Sequence, residues 1–417
     1  MVHLHPDYKQ IMELFFHNLS NGIRLVHYRI PGVVAHCGLV INTGSRDETT
    51  PEQGMVHFIE HMLFKGTRKR KAYYILSRLE DVGGELNAYT TKEETAIHAS
   101  FIKGDYERAV EIISDIAFNS VLPEKEIEKE KDVVIEEINS YLDNPAELIF
   151  DDFEELIFAD QPIGHNILGT LSTVKSFTKK ALSEFISRNY NTNQMVFCSV
   201  GDIADVKMLR FFRKYFEEIP ANKRNPGSVL PWIYKPASIT KKLDTFQNHC
   251  IIGNVAYNLK DERRLGMFLL NNILGGQGLN SRLNLSLREK NGLAYNVESS
   301  YNPYCDTGAF SIYFGTDNHH LERSIRVALS ELARLRTKKL GNIQLSKAKN
   351  QIKGYLARGY DNHENLMLSL GKSLLVFDRI ESLEETCEKI DKITSSELLA
   401  TANEIFDPGK LSTLIYK

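Results

Sequence analysis

The chain of 417 residues is 42% apolar and 25% charged, which fits two or three globular domains and excludes a disordered or fibrous protein. A formal charge of −3 lacks the basic excess that a nucleic-acid footprint requires. The longest apolar runs, such as 366–377 with Gly371 and Lys372 inside it, are too short to cross a bilayer, so no membrane contact is expected. The five cysteines stand far apart with no C-x-x-C pair, and the opening MVHLHPDYKQ has neither the basic nor the apolar region of a secretory signal. Both features lead us to expect a cytoplasmic protein in reducing surroundings.

Extended segments are predicted over 12–18, 23–30 and 35–43, rich in Val, Ile, His and Tyr and closed by the turn pairs Asn21-Gly22 and Pro31-Gly32. A helix follows, with Thr50 as N-cap, Pro51 in the first helical position, Gln53 completing a capping box and Gly66 as the stop after Lys65. A second helix is predicted near 71–82, then Gly83-Gly84 and an extended stretch over 85–102. Longer helical patterns occupy 105–119 and 123–142, and MVFCSVGDI (195–203) reads as a buried strand. Past Asn225-Pro226-Gly227, Pro231 and Pro236, the order repeats: a strand at 248–257, helices at 261–275 and 279–290, then two strands across 294–316. Helices at 319–336 and 343–358, more helix after 360, and a strand near 411–416 complete the chain.

Specific residues echo between the halves. Gly54-Met55 matches Gly266-Met267, Ser77-Arg78-Leu79 matches Ser281-Arg282-Leu283, and GELNAY (84–89) matches GLAY (292–295), in the same order. The expected fold is therefore α+β: two homologous domains from internal duplication, each a β-sheet with helices packed on one face. The boundaries are set at 1–222 and 241–417, with a linker over 223–240.

The chemistry concentrates in the first of these helices. His57-Phe58-Ile59-Glu60-His61 is H-x-x-E-H, and on a helix residues at i and i+4 share a face, with i+3 beside them. Two imidazoles can thus meet one metal while Glu60 takes a proton from water. Met55, Ile59, Met62 and Leu63 make the helix apolar around much of its girth. Burying two histidines and a glutamate there costs several kcal/mol unless something pairs them, and a metal does. Zinc needs a third ligand, and EKEKDVVIEEI (128–138) is the best source. Its apolar stripe is Ile127, Val134, Ile138 and Tyr141. At about 100° per residue from Ile127, Glu137 and Glu130 fall beside that stripe, while Glu136 faces solvent. Glu130 then suits a partner behind the ligands, and Glu128, Lys129, Lys131 and Asp132 form a solvated face.

HFIEHMLFKGT (57–67), GGELNAYT (83–90) and EKEKDVVIEEI together resemble the pitrilysin/insulinase family of inverzincin metallopeptidases, in the branch of mitochondrial processing peptidase and its bacterial relatives. Glu137 stands 76 residues after His61, the spacing of the family's third ligand. The resemblance implies one Zn2+ per chain held by His57, His61 and Glu137, with Glu60 as general base and Glu130 assisting. It also implies that Asn87, Ala88 and Tyr89 lie on a strand edge, where an extended peptide substrate pairs by its backbone. Read alone, these three are as well an ordinary strand with a polar residue pointing out.

In the second half the equivalent helix, GMFLLNNILGG (266–276), has no H-x-x-E-H, but REKNGLAY (288–295) is similar to the family's second-domain signature. Arg288 and Tyr295 then match a pair that engages substrate near the scissile bond, as donors to a carbonyl or its developing oxyanion. Without the resemblance, Arg288 reads as a helix-surface ion pair and Tyr295 as a core strand residue. No long glycine-rich loop is seen beyond Gly275-Gly276-Gln277-Gly278, which argues against import-peptide processing. The implied function is a zinc endopeptidase for peptides or small unfolded polypeptides, working as a homodimer around an enclosed chamber. The alternative is a non-catalytic structural or peptide-binding subunit of a processing-peptidase-like complex.

Overall fold

A computed structural model describes residues 13–224, 232–243 and 245–417. The first twelve residues and the Asn225–Pro231 part of the expected linker lie outside the described residues. The strands are β1 (Leu14–Asn18), β2 (Arg24–Tyr28), β3 (Val34–Ile41), β4 (Glu85–Thr90), β5 (Thr95–Ile102), β6 (Met195–Val200), β7 (Ser238–Lys241), β8 (Asn248–Val255), β9 (Ala294–Pro303), β10 (Gly308–Thr316) and β11 (Ser412–Tyr416). The helices are α1 (Met55–Leu63), α2 (Ala72–Glu80), α3 (Tyr106–Asn119), α4 (Glu124–Leu142), α5 (Pro145–Ile157), α6 (Leu171–Ser176) and α7 (Lys179–Asn189). They continue with α8 (Asp205–Phe216), α9 (Arg264–Gly275), α10 (Leu321–Thr337), α11 (Asn342–Asp361), α12 (His363–Phe377), α13 (Leu383–Lys392) and α14 (Ser395–Ile405).

The two sheets carry the duplication more clearly than the residue echoes do. The first is ordered β1-β2-β6-β3-β5-β4 and the second β7-β11-β8-β10-β9. Without β1 the orders coincide: in each, the repeat's first strand pairs parallel with its last, and the remaining pairs are antiparallel. The stretch expected as extended over 85–102 is the antiparallel hairpin of β4 and β5, in register from Glu85 opposite Ser100 to Thr90 opposite Thr95.

Two compact units form around these sheets. The first holds the described residues of Met1–Asn139, His165–Leu230 and Arg358–Ser382; the second holds those of Ser140–Gly164, Pro231–Ala357 and Leu383–Lys417. They differ from the expected halves by an exchange, with 140–164 joining the second unit and 358–382 the first. The exchange has a packing reason. In the first unit, α1, α2, α3 and α8 cover one sheet face. The other face is covered by Leu366, Met367, Leu370 and Leu374 of α12, set on Val26, Val40, Val196 and Cys198. In the second unit α9, α10 and α14 take one face, and Ile149, Phe153 and Ile157 of α5 pack on Ile251, Ala309 and Leu414 on the reverse. Each sheet therefore has helices on one face, as expected, and one more on the other. A central strand buried on both faces needs no polar alternation, which is why β6 reads MVFCSV.

Three local expectations need correction. The helix expected from Thr50 is broken: Thr50–Glu52 make a single 3₁₀ turn capped by Thr49, whose N–H and hydroxyl both donate to Glu52, and α1 starts only at Met55. Gly54 causes the break. It has φ +88°, and a Cβ there would lie 2.5 Å from the Leu168 carbonyl oxygen, so the chain turns before the helix can begin. The helix expected over 279–290 is a π-helical stretch, Asn284–Glu289. The expected linker contains the start of β7, whose four exposed residues have no alternation to read.

Candidate metal centre

Helix α1 is held at its start by a carboxylate from the preceding loop. Glu48 Oε2 accepts from the Gly54 N–H at 2.9 Å and Oε1 from the Val56 N–H at 2.8 Å, which satisfies the helix's first free amides. Burial pushes the Glu48 carboxyl up to about 8, against the pull of those amides. Met55, Val56, Phe58, Ile59, Met62 and Leu63 are buried in the first unit's core. The remaining strip of helix presents His57, Glu60 and His61 together.

Helix α4 brings two carboxylates to this strip. Glu137 Oε1 lies 3.7 Å from His57 Nε2, and Glu137 Oε2 lies 3.6 Å from His61 Nε2. Two turns earlier Glu130 Oε1 accepts from His61 Nδ1 at 2.9 Å, while its Oε2 lies 2.7 Å from Lys65 Nζ. The two rings meet edge to face, with centroids 4.6 Å apart. With Nδ1–H given to Glu130, the neutral form of His61 keeps its lone pair on Nε2, the atom that lies 3.6 Å from Glu137. Glu136 is exposed on the helix's other flank.

The surroundings separate the roles of these groups. Burial lowers His57 to about 4, helped by the neighbouring His61, so its ring is neutral near pH 7. Burial also works to lower His61, but its hydrogen bond to Glu130 and the charges of Glu130, Glu137 and Glu60 outweigh that and raise it. Glu130 is opposed by burial, yet His61 and Lys65 hold it below the ordinary carboxylate range. Glu60 moves the other way: burial raises it, against the Thr90 hydroxyl and His61, with Glu137 adding to the rise.

This donor set fits a metal. The ligating atoms of His57, His61 and Glu137 lie within 4.8 Å of one another. Ligand atoms around tetrahedral zinc are about 3.3–3.5 Å apart, within a few tenths of the two imidazole–carboxylate distances. His57 Nδ1 is buried without a hydrogen-bond partner among the described residues, so no hydrogen bond at that atom fixes the ring. Glu137 is 44% exposed, so water can reach the group.

The other singled-out residues fall in two places. Asn87, Ala88 and Tyr89 lie on β4, the terminal strand of the first sheet, which packs against α1. Their side chains alternate: Leu86 and Ala88 pack into the core beneath α1, whereas Tyr89 lies on the α12 side and donates to Glu94 at 3.2 Å. Arg288 and Tyr295 pair with each other in the second unit, with the guanidinium 4.8 Å from the ring centroid. Tyr295 is 74% exposed, so it is not the core strand residue its isolated sequence suggests. Both border a cavity of about 800 Å³ whose walls include Asn271, Glu298 and Tyr355. Sequence reasoning missed Glu48, Lys65 and Thr90. Lys65 had a usable signal, standing one helical turn after His61; the other two are brought in by loop and sheet geometry.

Known proteins resemble this chain along nearly all of it. The family model described as insulinase (peptidase family M16) matches residues 25–171, and that of the peptidase M16 inactive domain matches 176–352. An uncharacterized zinc protease of Rickettsia bellii is 32% identical over 398 residues, spanning 95% of this chain and 96% of that protein. The beta subunit of the mitochondrial-processing peptidase of Saccharomyces cerevisiae is 30% identical, spanning 92% of this chain and 87% of the subunit. The crystal structure of a protease from Helicobacter pylori superposes with a TM-score of 0.87 at 22% identity, covering 97% of this chain and 99% of the other, a likeness of fold.

Proposed function

The chain belongs to the insulinase family of zinc peptidases (peptidase family M16), and on that premise we propose that it is an endopeptidase that hydrolyses peptides or small unfolded polypeptides. One observation carries this reading: three ligand atoms from α1 and α4 converge within 4.8 Å beside a half-buried glutamate. His57, His61 and Glu137 would hold one Zn2+ per chain. Bound there, the ion would supply Lewis acidity to the scissile carbonyl and to the attacking water.

The remaining steps belong to the chain's own side chains. Glu60 takes the proton released as water attacks and passes it to the leaving amine nitrogen. Its raised pKa brings it closer to the working pH of a general base. Glu130 assists by fixing the His61 ring through Nδ1. The free edge of β4 at Asn87, Ala88 and Tyr89 takes the substrate as an added strand, which asks little of side-chain identity. Arg288 and Tyr295 offer a guanidinium and a phenol to substrate carbonyls. The active form we infer is a homodimer. A cytoplasmic location, expected from the wide spacing of the five cysteines, is part of the same proposal.

A quenched-peptide assay on the full chain tests this reading. Chelator should abolish cleavage and added zinc restore it. Glu60→Gln should keep zinc but lose at least about a hundredfold in turnover. Substantial hydrolysis by Glu60→Gln, or hydrolysis indifferent to chelator, would overturn the assignment.

A further inference from the structure

Lys65 ends the HFIEHMLFK run, and neither the ligand set nor the proposed proton transfer uses it. It stands just past Phe64, which caps the end of α1, with its N–H donating to the Met62 carbonyl at 3.1 Å. The next residue, Gly66, has φ +140° and leads the chain away, so the lysine stays beside the helix end. Its ammonium lies 2.7 Å from Glu130 Oε2, while Glu130 Oε1 accepts from His61 Nδ1 at 2.9 Å. One carboxylate is therefore gripped at both oxygens, by an imidazole and an ammonium drawn from the same helix end.

We propose that Lys65 is a positioning residue: it holds Glu130 so that Glu130 fixes the ring orientation and tautomer of His61. This rests on the zinc reading above. The Glu130 side chain is only 5% exposed, so an oxygen released by Lys65 would lack both water and partner. The carboxylate would then turn or change its hydrogen bonding, and His61 Nδ1 would lose the acceptor that leaves Nε2 as the free lone pair. His57 offers no substitute, because its Nδ1 has no hydrogen-bond partner among the described residues. Only one of the two imidazoles is braced from behind, and Lys65 secures that brace. Groups behind a ligand commonly change metal affinity by about 10–100-fold, and one step further out we expect the lower end.

The test uses the full chain and zinc, with affinity read by competition against a chromophoric chelator. Lys65→Met should weaken zinc by about tenfold, and Lys65→Arg should recover most of that. Glu130→Gln should weaken zinc too, and adding Lys65→Met to it should cost nothing further, since both act through one carboxylate. The metal-free Lys65→Met chain should melt a few degrees lower, the cost of the freed carboxylate oxygen, but remain folded at the assay temperature, so the affinity loss is read on a folded chain. Equal affinity for Lys65→Met and the unchanged chain overturns this role alone. So does a Lys65→Met loss that is just as large in the Glu130→Gln background. An unchanged chain that takes up no zinc overturns the zinc reading, and this inference with it.

Discussion

Replacing Glu48 by alanine asks whether the centre is built from the start of α1. The carboxylate is 2% exposed and accepts the Gly54 and Val56 N–H groups at 2.9 and 2.8 Å. Alanine leaves two buried donors without partners, at about 1–3 kcal/mol each. Part of that is offset, because the carboxylate's own burial is unfavourable enough to push its pKa up to about 8. The net loss should be about 2–3 kcal/mol, a drop of roughly 5–10 °C in the melting of a unit this size. Calorimetry of the metal-free chain reads the effect, and Glu48→Gln, which keeps one acceptor oxygen, should fall between. His57 is the third residue of α1, so zinc affinity should fall in the same order, alanine below glutamine below glutamate. A Glu48→Ala chain melting within about 1 °C of the unchanged one would refute the claim that this side chain anchors the helix.

Other outcomes follow from burial and packing. His27 is fully buried between Ser199 and the Ile203 carbonyl, and burial lowers its pKa from 6.5 despite the pull of Ile203 and Asp205, with Arg29 adding a little to the lowering. The unfolded chain therefore binds a proton first as pH falls below 6.5, so His27's contribution to stability is intact above that value and declines below it. Denaturant titrations of His27→Gln should show a shallower loss between pH 6.5 and 5. Gly371→Val should lose about 1–3 kcal/mol in urea unfolding, since a Cβ there would sit 2.9 Å from Cys198 Sγ and Val40 Cγ2. Tyr295→Ala should leave melting unchanged, the residue being 74% exposed, and raise KM for peptides severalfold; an unaltered KM would remove it from the substrate site.

Much of this protein can be read from local period alone. Spacing of i, i+3 and i+4 on α1 sets His57, Glu60 and His61 on one strip, and the apolar stripe of α4 is enough to prefer Glu137 to Glu136 and to bring Glu130 to the same side. The duplicated order of elements is legible for the same reason, because each repeat writes the same sequence of periods. What local period cannot carry is contact between distant segments. Glu48 and Thr90 join the site from a loop and a sheet edge, Gly54 breaks the expected helix because of Leu168, and α5 and α12 cross to the sheets of the opposite halves. These were decided in three dimensions, where buried amides must find acceptors and the second face of each sheet must be covered.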